Sequence, residues 1–218
     1  MAFDKSLFND NFTFSFRATV ANNMHIATKA FDKFWESNSQ FLCEADDLYG
    51  RILTYAVNKQ FRGSSTDTAS AYLVSGKETN TYKAKAVFLN TKDYITSICR
   101  TDTPRKLPCK ANYKLKLSLG NREDNQQMEL FPEHGGDQLV PSIPKKYAII
   151  GYRYINGDLR HLNIIVPDWR FKSFLYDINL LDQINEYYNY VPQEIVEESV
   201  AALKTDIVKQ AKKQNIIQ

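Results

Sequence analysis

Residues 147–166, YAIIGYRYINGDLRHLNIIV, constrain the fold of this chain more than any other stretch. Two apolar runs, Tyr147–Ile155 and Leu159–Val166, flank Asn156-Gly157-Asp158. Asn-Gly between apolar runs signals a β-hairpin, because both residues tolerate positive φ. Side-chain parity sets the register. A two-residue turn would set Ile150 against Asn163 and Tyr152 against His161. A three-residue loop, Ile155-Asn156-Gly157, sets Ile150 against Leu162 and Ala148 against Ile164. One register slip turns every side chain over, so the second alignment, with one coherent apolar face, is expected. It also puts Gly157 in the left-handed position of a bulge turn. Ile149 and Ile165 are apolar on the opposite face, as in a pair of central strands covered on both sides. Pro167 lacks an amide donor and should end the second strand.

The remaining elements are read from periodicity. Phe12, Phe14 and Phe16 alternate with Thr13, Ser15 and Arg17, which predicts a short N-terminal strand. From Asn23 the period changes: Ile26, Ala27, Ala30, Phe31 and Phe34 recur at helical spacing up to Ser37-Asn38-Ser39. A second helix is expected over 44–60, with Leu48, Ile52, Tyr55 and Ala56 as its stripe. Its acidic first turn, Glu44, Asp46 and Asp47, suits the helix dipole better than a metal. Strands are expected at 71–74, 82–89, 94–100 and 113–119. In the last of these Tyr113, Leu115, Leu117 and Leu119 would face inward and Lys114, Lys116 and Ser118 outward. Residues 169–190 and 193–214 repeat apolar positions at three and four and predict two more helices.

The expected organisation is a single α+β domain over 1–218. It is helical over 23–60, strand-rich over 70–166 with a long loop at 120–146, and helical again over 169–214. A central, mostly antiparallel sheet of five to six strands would carry the 147–166 hairpin at its centre, with N- and C-terminal helices flanking it. At 43% hydrophobic and 24% charged, the composition fits a soluble globular chain. No apolar run approaches the ~20 residues that span a membrane, so no membrane association is expected. The start, MAFDKSLFNDNF, lacks a basic stretch followed by an apolar block and does not read as a secretory leader. Cys43, Cys99 and Cys109 are odd in number with no CxxC pair, as free thiols in the cytoplasm would be.

The motifs of common chemistries are absent from the sequence. There is no GxxxxGK[ST], no GxGxxG, no GxSxG, and no His/Cys spacing that would hold zinc. No cofactor or metal is expected. Asp/Glu-x-Lys, the triplet of restriction-type nucleases, occurs nowhere; Asp158-Leu159-Arg160 and Asp168-Trp169-Arg170 come nearest, and arginine does not readily exchange a proton. His161, beside Asp158 and Arg160 at the turn end of the hairpin, is the best catalytic candidate, weighed against a histidine on a solvated strand.

Charge provides the functional lead. Residues 77–116 carry ten basic and three acidic side chains, net +7, in a chain of net +3, which leaves −4 for the remainder. If neighbouring strands align, Lys83, Lys85, Lys114 and Lys116 share an outward face, with Arg100, Arg105, Lys106 and Lys110 in the loops beside it. Such a surface would neutralise phosphates along a nucleic-acid backbone. The bland alternative is lysines that solubilise one face and protect sheet edges. The expected function is non-enzymatic nucleic-acid binding. The alternatives are an acidic protein partner for the same basic region, a protein–protein adaptor or inhibitor, as of a mobile element, that uses the aromatic surface and the 120–144 loop, and a hydrolase or nuclease centred on Asp158, Arg160 and His161. The sequence sets no oligomeric state.

Overall fold

A computed structural model describes residues 3–42, 46–63, 72–78, 85–122, 145–181, 201 and 203–205. The fold is α+β. Helices α1 (Lys5–Asn11), α2 (Phe14–Ser37), α3 (Ser39–Leu42) and α4 (Asp46–Gly63) precede strands β1 (Leu73–Glu78), β2 (Lys85–Asn90) and β3 (Tyr94–Arg100). Helix α5 (Asn112–Ser118) and a 3-10 turn (Leu119–Asn121) lead to β4 (Lys146–Ile155), β5 (Asp158–Pro167) and β6 (Phe174–Asn179). Residues 203–205 are again helical; the rest of the expected final helix lies outside the described residues. The six strands form one sheet in sequence order. Its β2–β3 and β5–β6 pairs are antiparallel and its β3–β4 pair is parallel. No helix among the described residues is long and apolar enough to cross a membrane.

By its internal packing the chain divides into two compact units. One comprises Met1–Thr13, Ser75–Arg153 and His161–Asn179; the other comprises Phe14–Val74, Tyr154–Arg160 and Leu180–Gln218.

The second unit is built on α2 and α4. The predicted stripe of α2 is buried throughout: Ile26, Ala27, Ala30, Phe31 and Phe34. On α4 the buried row is Ile52, Leu53, Ala56, Val57 and Phe61, while Tyr55 is exposed. Edge-on aromatic contacts join the two helices, Phe31 to Tyr49 at 4.8 Å and Trp35 to Tyr49 at 5.0 Å between ring centroids. Several polar side chains here are paired with one another. Asn23 donates to the Tyr72 hydroxyl (2.8 Å), Gln60 donates to Asn23 (3.3 Å), and the Tyr154 hydroxyl donates to Asp32. Burial holds the Asp32 carboxyl above its usual range, with the Tyr154 hydrogen bond opposing.

The first unit holds most of the sheet. Helix α1 is tied to the β2–β3 turn by one side chain. Asn11 donates to Asp93 (2.9 Å) and accepts from Thr91 (2.8 Å) and the Asp93 amide (2.9 Å). Phe8 and Phe12, four residues apart, bury their rings against each other and Tyr94. The N-terminal strand is therefore corrected to helix. Phe12 caps the end of α1 and Phe14 opens α2; Phe8, Phe12 and Phe16 are fully buried, while Phe14 is half exposed.

The three-residue loop is corrected: β4 runs through Ile155 and β5 starts at Asp158, so the turn is the two residues Asn156 and Gly157, both left-handed (φ 51° and 82°). Asparagine is among the non-glycine residues that take this conformation most readily. Along the strands, Thr101 Oγ1 and Ile165 Cδ1 lie 3.1 and 3.2 Å from the point a Gly151 Cβ would occupy. The same hydroxyl meets His161. Gly151, His161 and Ile165 thus share one side of the sheet.

Two further expectations are overturned. Residues 113–119 are helix, not strand. Rows four apart, Tyr113 with Leu117 and Lys114 with Ser118, replace the alternating face. Leu115 and Leu117 pack against the buried cluster of Tyr147, Ile149 and Phe171. Seven residues are too few for periodicity to decide, and packing on the sheet decides instead. Residues 174–179 are strand, not helix. Asp168 Oδ1 accepts from the Lys172 and Ser173 amides (2.6 and 2.9 Å), which closes a tight turn, and β6 then pairs with β5. That turn ends the helical register before it starts. Of the expected loop at 120–146, residues 123–144 lie outside the described residues.

Candidate nucleic-acid interface

The loop leaving β3 is fixed from beneath. Thr101 is buried, and its amide donates to the Tyr152 carbonyl (2.9 Å). Its hydroxyl lies 2.7 Å from His161 Nε2. His161 is therefore not on a solvated face, as expected from sequence; it is 3% exposed and latches the loop to β5. Asp158 and Arg160 pair with each other instead, at 3.2 Å on the surface of the other unit. Among the described residues no group of His, Cys, Asp or Glu could hold a metal ion.

Burial, and secondarily the charge of Arg153, lowers the His161 imidazole from its usual 6.5. Below that pH the unfolded chain takes a proton that the fold still refuses, so stability present above it falls as pH drops. His25, lowered by burial and Lys29, adds a similar fall. His161→Gln keeps a hydrogen-bonding group for Thr101. It is expected to flatten the loss of urea stability between about pH 7 and about pH 5. An equally steep loss in the variant would contradict a buried neutral imidazole.

Above this latch the loop presents cations. Lys106 Nζ lies 3.0 Å from Asp102, and Arg153 lies 3.6 Å from the same carboxylate while donating to the Asp102 carbonyl (2.8 Å). The Lys106 hydrogen bond and charge, then Arg153 and Arg100, hold the Asp102 carboxyl below its usual range. Several cations thus act on one carboxylate, and the loop keeps an excess of positive charge. Arg105, itself left-handed (φ 61°), reaches Asp177 of β6 at 3.3 Å and remains largely exposed.

Of the eight residues expected to bind nucleic acid, Arg100, Arg105, Lys106, Lys110 and Lys116 are exposed in this unit. Lys83 lies outside the described residues, as does the side chain of Lys85. The shared strand face drawn through Lys83, Lys85, Lys114 and Lys116 is corrected, because Lys114 and Lys116 lie on α5. Two residues apart on a helix, they point different ways. Lys114 is buried and donates to the Cys109 carbonyl (2.9 Å). Arg153 was missed by sequence reasoning. It belongs to the hairpin by sequence and reaches the loop only through the parallel pairing of β3 with β4. No family model matches this chain, and no curated protein or solved structure is detectably similar to it.

Proposed function

We propose that this is a non-enzymatic protein that binds nucleic acid through the exposed cations of residues 100–116. One observation carries the reading: Arg100 at the end of β3 and Arg105, Lys106, Lys110 and Lys116 on the loop and helix that follow it are all exposed, and only Asp102 and Asp177 pair with members of the group among the described residues. The charge of the two units also supports it. Seventeen basic and twelve acidic residues fall in the sheet-bearing unit, net +5, against eleven and thirteen in the other, net −2. A phosphate backbone is the ligand that rewards such a surface, through release of its condensed counterions. We place the protein in the cytoplasm, where Cys99 and Cys109 would remain free thiols.

The test is charge reversal where stability is least disturbed. Arg100→Glu, Lys110→Glu and Lys116→Glu combined are expected to weaken oligonucleotide binding on the order of 100-fold at low salt. Folding should change little, since all three side chains are exposed. Unchanged affinity, or equal affinity of the native protein for polyglutamate, would defeat the nucleic-acid reading.

A further inference from the structure

We infer that Trp169, with Arg122 and Arg170, is a stacking station for the bases of single-stranded nucleic acid. This rests on the nucleic-acid reading and adds a site to it. The Arg170 guanidinium lies 4.5 Å and that of Arg122 5.2 Å from the same indole centroid. Both arginines are exposed and the indole is half-buried. The face of the indole attracts a guanidinium group through its quadrupole, and two such groups sit against it here. Among the described residues no carboxylate forms an ion pair with Arg170.

The platform is held from several directions. Ser118 donates to the Trp169 carbonyl (3.2 Å), Asp168 closes the turn beneath, and Phe171 (φ 54°) is driven into the core. Lys172 adds a further exposed cation. The ring is therefore presented at fixed orientation amid exposed positive charge. Every base has a π-face, so stacking of this kind tolerates any sequence, and guanidinium groups add to it. A base takes the place of one guanidinium on the indole, and the displaced arginine meets its phosphate. A duplex, whose bases are already stacked, gains only the charge.

The chain has two tryptophans, so Trp35→Phe leaves Trp169 as the sole indole reporter. A short oligothymidylate is expected to quench its emission, and a duplex of equal length to bind with little quenching. Trp169→Ala should weaken binding of the single strand about 5- to 100-fold. Trp169→Phe should recover part of that loss, and duplex affinity should stay constant. Arg170→Ala, at an exposed position, checks the site without disturbing the turn, and should weaken the single strand more than the duplex. Equal losses for both ligands, or none for the single strand, would overturn the stacking site while leaving backbone binding in place. Failure of the native protein to bind either ligand at low salt would overturn the nucleic-acid reading itself, and the station with it.

Discussion

Replacing Asn121 with alanine is expected to lower the unfolding free energy by about 3 kcal/mol in urea titrations at neutral pH. One amide side chain closes the end of the central hairpin. Asn121 Nδ2 donates to the carbonyls of Tyr147 (2.9 Å) and Pro167 (2.8 Å), and Oδ1 accepts from the Tyr147 amide (2.8 Å). Tyr147 stands at the start of β4 and Pro167 at the end of β5, so the residue staples the strands where the turn cannot. Truncation leaves a buried amide and two buried carbonyls short of partners. Asn121→Asp separates shape from chemistry. It keeps the acceptor but aims a carboxylate oxygen at two carbonyls, and should destabilise at least as much as alanine. An aspartate variant close to native stability would refute the donor role. The adjoining Gly120 has its own constraint: a Cβ there would collide with the Lys145 carbonyl oxygen.

Phe12→Ala is expected to cost about 3–5 kcal/mol, and Phe14→Ala about 1 kcal/mol or less. Phe12 is fully buried, with ring centroids 4.6 Å from Phe8 and 4.9 Å from Tyr94, whereas Phe14 is half exposed. Loss of the Phe12 ring leaves a cavity between α1 and the sheet at the point where Asn11 fastens the helix to the β2–β3 turn. Similar losses at both positions would favour the alternating strand that the sequence suggests.

These residues show what the sequence could and could not disclose. The central hairpin was readable because Asn-Gly and two continuous apolar runs agree. The stripe of α2 was readable because twenty-four residues carry many turns of one period. Helix α5 was not, since NYKLKLS satisfies a strand pattern and a helix pattern equally, and only the sheet beneath it chooses. The parallel pairing of β3 with β4 joins residues some fifty positions apart, such as Ile95 and Tyr147, and no local pattern announces it. The burial of His161 depended on Thr101, sixty residues distant, for the same reason. At the candidate interface the excess of charge was plain in composition, but its direction was not. Lys114 and Lys116 stand two residues apart, and one of them is spent on a carbonyl inside the fold.

The measurement closest to the central claim is the affinity for a single-stranded oligonucleotide as a function of salt. If all five exposed cations of residues 100–116 meet phosphates, the plot of log affinity against log salt falls with a slope of about −3.5. The triple charge reversal removes three of the five contacts and should reduce that slope by about 2. A slope near zero, or one that the reversal leaves intact, would contradict the proposal.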